Sequence, residues 1–380
     1  MSTRKLPNNP MGGLTLVELL VAITLGAIIL GGAVTLFVNN RDTYNTTNEL
    51  SRLQETARYA LDMMVKDIRM AGYFGCADRG DTVTLNVPVV TPGELWDFNL
   101  DPGAGAIIPP IEGFEAAFAA NEFMPSGFDV TVGTNGAGGE VLAGTDAITL
   151  RYIAGSMIDV APANGTLDYQ VTADAVNGAS STITADSTTG FALNQVAAIA
   201  DCGGSDIFQI NAATTATTVR ANALSRGYNA VSAPMIAPYV GVRYYVGDNG
   251  RGPGGEVYPS LYRTIITPGA LTESSQELFE GVEVMQILYG VDTTGNRIPD
   301  SYVRSGDVPL STADPAANWA NIVSVRISIL VRTIDQYGRE TDTNTYTVND
   351  HDDVLSPRFN PVDDNRRRRV FTTTTMVRNL

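Results

Sequence analysis

One stretch limits every fold open to this chain: residues 12–38, GGLTLVELLVAITLGAIILGGAVTLFV, an apolar run with a single charge, Glu18. About 25 residues of helix at 1.5 Å each reach roughly 37 Å, more than the ~30 Å of hydrocarbon in a bilayer. No other continuous apolar run in the chain is long enough to cross a membrane. A carboxylate inside such a span costs about 2.5–3.5 kcal/mol on insertion scales, so Glu18 marks a function. Ahead of the run lies a short polar leader, residues 1–13, with Arg4 and Lys5. A secretory signal has an apolar core of about 7–15 residues and then a small-residue cleavage site. This run is too long and no such site follows it. A plain signal anchor fits the length but leaves Glu18 unexplained.

After the basic leader come a glycine, an apolar residue, Thr15, Glu18 and an uninterrupted apolar tail. This order resembles the class III signal of type IV pilins and pseudopilins. The resemblance implies a prepilin peptidase that cuts after Gly13 and leaves Leu14 as the new, N-methylated terminus. The family usually has Phe at that first position. Leu14 departs from the pattern, which bears more on methylation than on cleavage. The resemblance also implies that the helix first anchors the subunit in the inner membrane, with the leader charges inside. It then moves into a filament core, where Glu18 pairs with the amino group of a neighbouring Leu14. That pairing satisfies two groups that are costly when buried alone. Gly26, Gly31 and Gly32 lower helix propensity and permit close approach or local melting.

The rest of the chain reads as an exported head. With 25 basic and 41 acidic residues the net charge is −16, which argues against nucleic acid as a direct partner. A length of 380 residues allows one large or two modest domains. Export places Cys76 and Cys202, the two cysteines, in an oxidising space, so a disulfide between them is the default. It would contribute about 4–5 kcal/mol in the chain-entropy picture. The alternative is two buried free thiols.

Beyond Val38 the helical period persists. Leu50, Leu53, Ala57, Ala60, Leu61, Met64, Ile68 and Ala71 recur at steps of three and four and form one apolar stripe. The spacing predicts one helix over 15–70 with Gly72 as its stop. Its first half, 14–38, is membrane or filament core; its second, 39–73, packs under a sheet. Residues 74–235 hold short β-like pieces (82–90, 147–153, 182–184, 196–200 and 208–211) among Gly-, Pro- and Ala-rich loops. They read as a large insertion of mixed β with a few short helices. From 236 to 380 the strand signal strengthens, with segments at 239–246, 256–267, 281–291, 298–304, 321–334 and 369–377. Gly250, Gly252, Gly254 and Gly255 are closely spaced, but a strand follows them and not a phosphate-binding helix, so 247–255 is a hairpin loop. In 321–334, Val323, Val325, Ile327, Ile329 and Val331 face one side, and Ser324, Arg326, Ser328 and Arg332 the other. That alternation predicts a half-buried antiparallel strand covering the helix stripe.

Three stretches narrow the resemblance: LFEGVEVMQILYGVDTTGNRIPDSYV, NWANIVSVRISILVRT and RRRVFTTTTMVRN, together with MAGYFGC at the helix end. They resemble the PilW family of type IV pilus minor pilins. The resemblance implies an α+β, type IV pilin-like fold, with a long N-terminal helix packed on a C-terminal antiparallel sheet and a large β-rich insertion. The subunit it implies primes pilus assembly and sits in a tip complex at the cell surface. Its partners are other minor pilins, the major pilin, the prepilin peptidase and a tip adhesin; before assembly its head is periplasmic. The alternative is a minor pseudopilin of a type II secretion system. No cofactor is expected. His351 is the only histidine and no G-x-S-x-G occurs, so nothing supports a Ser-His-Asp enzyme. Asp292, Thr294, Asn296 and Asp300 alternate as in a calcium loop, but Arg297 sits among them. A calcium site and an ordinary turn both remain open there. The run Arg366–Arg369 reads as a solvated strand start or a subunit-contact patch. Tyr244, Tyr245, Tyr258 and Tyr262 read as strand packing or as contacts for other minor pilins.

Overall fold

A computed structural model describes residues 15–75, 83–86, 110–114, 142, 144–153, 169–170, 181–185, 191, 193, 195–212, 218–221, 224–229, 234–252, 256–266, 273–310, 319–336, 341–348, 358–359 and 364–379. In chain order the elements are α1 (Leu16–Met70), β1 (Val83–Asn86), β2 (Ile111–Phe114), β3 (Ala147–Ile153), β4 (Tyr169–Gln170), β5 (Ser181–Thr184), β6 (Val196–Asp201), β7 (Gly204–Ala212), β8 (Thr218–Ala221), β9 (Met235–Asp248), β10 (Pro259–Ile266), β11 (Glu273–Glu280), β12 (Val282–Val291), β13 (Ser301–Val303), β14 (Ile322–Arg332), β15 (Tyr346–Thr347), β16 (Arg358–Phe359) and β17 (Arg368–Met376).

The single long helix forms as its pattern predicts. Thr15 is its N-cap, and it ends at Met70, where the Ala71 N–H bonds back to the Asp67 and Ile68 carbonyls. Gly72 then takes a φ of +75°, a backbone that favours glycine. A Cβ there would stand 2.9 Å from the Asn379 carbonyl oxygen. Asn379 itself closes the helix end: its side-chain amide donates to the carbonyls of Arg69 at 3.1 Å, Met70 at 3.4 Å and Ala71 at 3.5 Å. Those carbonyls have no partner within the helix.

Packing begins only at Glu49. None of residues 15–48 is buried, a length of about 50 Å at 1.5 Å per residue. From there Glu49, Leu53, Ala57, Ala60, Met64, Asp67 and Ile68 are buried at helical spacing. Leu50, expected in the stripe, is 37% exposed and lies on its flank.

Two sheets close over this half of the helix. The larger has eleven strands, along the path β11-β10-β9-β6-β7-β8-β5 with β1 to β4 attached to its side. It is antiparallel except for β1 with β7. Strand β9 unites it: its start pairs with β4 and β6, its remainder with β3 and β10. Pairing therefore runs across the 235/236 boundary, and β9 to β11 share a sheet with the insertion strands. No short helix occurs among the described residues of 74–235. The smaller sheet is antiparallel with order β13-β12-β14-β17.

One core joins all three layers. It holds the helix stripe, Ile148 and Leu150 of β3, Val242 and Tyr244 of β9, Met285 and Ile287 of β12, and Val325, Ile327 and Ile329 of β14. The expected alternation in β14 is present, yet its second face is not solvated. Ser324, Ser328 and Leu330 are also buried, and only Arg326 is half-exposed. Buried Thr145 and Asp146 tie the sheets together. The Asp146 N–H donates to the Met285 carbonyl at 2.8 Å, and its carboxylate accepts from the Ile287 N–H at 2.8 Å.

Candidate assembly site

The start of α1 is a reciprocal cap. Thr15 Oγ1 accepts from the Glu18 N–H at 3.3 Å, and Glu18 Oε2 accepts from the Thr15 N–H at 3.1 Å and from its hydroxyl at 3.0 Å. A Thr with Glu three residues on is the sequence signature of this cap. It draws the carboxylate of Glu18 back to the first turn, where the helix dipole favours negative charge. The same contact holds Glu18 beside the amide that follows Leu14. Gly13 and Leu14 themselves lie outside the described residues.

Along the rest of this half, Leu16, Leu20, Ile23, Ile28, Leu30 and Phe37 are all exposed. A helix apolar on every side needs lipid or other helices around it. Its hydroxyls are already satisfied: Thr24 donates to the Leu20 carbonyl at 2.7 Å and Thr35 to the Gly31 carbonyl at 2.8 Å. No polar side chain is thus left unpaired in hydrocarbon by these two residues. Around Gly26, Gly31 and Gly32 a Cβ would meet nothing within 4 Å.

The other half of the helix is latched to the head. Asp67 is buried beneath β9 and accepts a short hydrogen bond from the Tyr244 hydroxyl. Burial raises its pKa, against the pull of hydrogen bonds from Tyr244 and Tyr152 and of the Arg263 charge. Arg69 Nε donates to Thr375 Oγ1 of β17 at 3.2 Å. Neither Asp67 nor Glu49 stands out in the apolar pattern. Their only signal is helical spacing in line with Leu53, Ala57 and Ala60.

The arginine run corrects the sequence reading. Arg366 and Arg368 are not a solvated strand start; their side chains are 3% and 1% exposed. Arg368 pairs with Glu283 at 2.7 Å, Asp364 at 2.7 Å and Asp342 at 3.2 Å. Arg366 pairs with Glu256 at 2.6 Å and lies with Arg332 over the Tyr258 ring. Arg332 returns to Glu283 at 3.3 Å. Only Arg367 and Arg369 of the run are exposed. Desolvation works against the charge on Arg368, but its carboxylate partners outweigh it and raise its pKa. Burial likewise opposes the ionised forms of Asp342 and Asp364, and their hydrogen bonds still hold both pKa values below the usual range.

The four tyrosines resolve toward packing. Tyr244, Tyr245 and Tyr262 are buried and Tyr258 is half-buried under arginines, so none presents an exposed contact.

In the loop after β12, the structure brings Asp292, Thr294 and Asp300 together. Asp292 Oδ1 accepts from the N–H groups of Thr294 at 3.0 Å, Gly295 at 2.7 Å and Asn296 at 3.3 Å, and Oδ2 from Arg297 at 2.6 Å. Asp300 accepts from the N–H and hydroxyl of Thr293 at 2.8 and 2.7 Å. Asn296 Oδ1 turns away to the Ile298 N–H. Desolvation is outweighed at Asp292 by those amides, and its pKa falls; hydrogen bonds from Thr293 lower that of Asp300. Among the described residues, no group of three or more His, Cys, Asp or Glu side chains is placed to hold a metal ion. Cys202 lies in the turn between β6 and β7. Cys76 and His351 fall outside the described residues.

A membrane-length helix with a methylatable start, carried by a β-rich head, defines a type IV pilin-like protein. Residues 9–34 match the prokaryotic N-terminal methylation motif, and residues 243–379 match the family described as type IV pilus-assembly protein W. Over that last third the chain is similar to the PilW family, and the two matches together support a type IV pilin-like protein related to the minor pilins of a type IV pilus. That family is structural and not enzymatic. No curated protein matches the chain, and no solved structure does.

Proposed function

We propose that this minor pilin primes pilus polymerisation and sits at the filament tip in a complex with other minor pilins. The carrying observation is the contrast in size and satisfaction between its parts. Residues 15–38 offer Glu18 and an apolar surface that stays exposed along its length. Behind them hangs a head of roughly 300 residues, where a repeating-shaft domain needs on the order of 100. Such a head at every helical step would collide with its neighbours; at one end of the filament it meets no such limit. The helix-under-sheet packing supports a pilin-type fold. Prepilin peptidase cleavage between Gly13 and Leu14, followed by methylation of Leu14, frees the amine that Glu18 pairs with on a neighbour. The subunit waits in the inner membrane with a periplasmic head and reaches the surface with the pilus, where a tip adhesin is a fitting cargo.

Deletion of the protein should reduce surface pili, and a tagged copy should label filament ends. Unchanged piliation, or label spread along the shaft, would reject this role. Cys76 and Cys202 are proposed to bond after export, tying the helix end to the β6–β7 turn; a non-reducing peptide map with both thiols free would refute it. For 292–300 we favour a turn closed by its own amides, since four N–H groups already compensate Asp292. Millimolar calcium should leave the melting temperature unchanged, and a rise of several degrees would instead assign Asp292, Thr294 and Asp300 to the cation.

A further inference from the structure

Sheet edges are templates for strand addition, and proteins blunt them with shortness, charge, proline or bulges. Almost every described edge here is blunted. Strands β1, β2 and β5 have four residues, β13 three and β4 two. At the end of the large sheet, β11 carries Glu273, Glu277 and Glu280, and its ladder with β10 is broken by a register shift. The exception is β17. It has nine residues, pairs among the described strands with β14 alone, and keeps an unbroken register from Arg368 to Met376. From Val370 to Met376 it contains no charge, no proline and no bulge.

The direction of its free backbone groups follows from the ladder. The Val377 N–H bonds to the Val323 carbonyl and the Thr333 N–H to the Arg367 carbonyl. In an antiparallel pair, bonded and non-bonded residues alternate. Residues 369, 371, 373 and 375 therefore bond to β14, and Val370, Thr372, Thr374 and Met376 point their N–H and C=O groups outward. Thr372, Thr374 and Met376 are also exposed at the side chain. Exposed Arg367, Arg369 and Arg378 stand at the two ends of this edge and have no ion-pair partner among the described residues. They do so on a chain of net charge −16. The edge also adjoins α1, through Arg69 to Thr375, so a subunit stacked on that helix comes within reach of it.

We propose that the outer edge of β17 is a docking strand that takes an extended, acidic segment of a neighbouring pilin-like subunit by antiparallel or parallel strand addition. Backbone pairing at Val370, Thr372, Thr374 and Met376 supplies the register, and Arg367, Arg369 and Arg378 select the acidic partner. This rests on the reading of the chain as a pilus subunit.

The test is photocrosslinking of the full chain in its own cells, with p-benzoylphenylalanine in place of Thr374 in one strain and of Ile23 in another. The expected Thr374 adduct is to a different pilin-like subunit, mapped by mass spectrometry to an acidic β segment. Thr372→Pro deletes an outward N–H and leaves the β14 ladder intact, so it should lower that adduct tenfold or more with the melting temperature held. Arg367→Glu with Arg369→Glu and Arg378→Glu should lower it several-fold. An Ile23 adduct to pilins without a Thr374 adduct would overturn the edge proposal and leave the pilus reading standing. Loss of both adducts would overturn both. A Thr374 adduct to a second copy of this chain, or to a helix of another subunit, would also overturn it, as would an undiminished adduct in folded Thr372→Pro.

Discussion

Glu18 and Arg368 are both charges that need compensation, and the chain treats them in opposite ways. Arg368 meets three carboxylates inside the head and is 1% exposed. Among the described residues Glu18 bonds to the first turn of its own helix alone. The same contrast divides the apolar residues: Met64 and Ile68 are fully buried, whereas Ile28, Ile29 and Leu30 are about two-thirds or more exposed. The core of the head packs within the chain, and the front of the helix leaves an apolar surface suited to lipid or other helices. Substitutions in the first region should therefore change stability, and substitutions in the second should change assembly.

The sharpest separation comes from Arg368→Ala. It leaves Glu283, Asp342 and Asp364 facing one another without their central cation, and such a loss costs about 3–5 kcal/mol. Thermal melting of the detergent-solubilised chain should fall steeply, while Glu18→Ala should not move it. Met64→Ala should cost about 2–5 kcal/mol by opening a cavity under the sheet. Ile29→Ala, the matched change in the front half, should leave the head's melting unchanged and reduce recovery in sheared pili.

Acid probes the same network more gently. The folded pKa values of Asp342 and Asp364 are depressed, so the unfolded chain binds protons first as pH falls. Their contribution is complete above the unfolded value near 4 and is lost as pH drops below it. Asp67 runs the other way: its raised pKa favours the fold most below its unfolded value, and that contribution fades as pH rises through the folded one. Melting should not fall from pH 7 to 5, since Asp67 gains as pH drops, and should fall below about pH 4, and Arg368→Ala should flatten the acid limb. A smaller effect is expected from Asn379→Ala. Removing the donors that cap Arg69, Met70 and Ala71 should cost about 0.5–1.5 kcal/mol, read as earlier amide exchange at the end of α1.

What the sequence made legible follows the same division. The helix and its stop were readable because each rests on local chemistry: steps of three and four, and Gly72 ahead of the turn. The hairpin of β9 with β10 was readable from the glycine loop between two strand segments, and the inward face of β14 from alternation. The buried network was not, because a run of four arginines looks solvated until its neighbours are known. Period two was the available signal, with Arg366 and Arg368 inward and Arg367 and Arg369 outward. Asp67 and Glu49 were hidden for the same reason, since burial of a charge depends on partners far along the chain. The reach of β9 into the insertion was equally non-local. Its pairing with β3, β4 and β6 joins segments separated by long loops, and no local pattern encodes that choice. At the assembly end, the sequence marked Glu18 as the residue to watch but did not disclose that it folds back onto Thr15.

Glu18 is proposed to serve other subunits and not the head. Glu18→Ala, expressed in place of the wild-type chain, should be cleaved, remain in the inner membrane and melt like wild type, yet be missing from purified pili. Incorporation at wild-type levels would contradict the account.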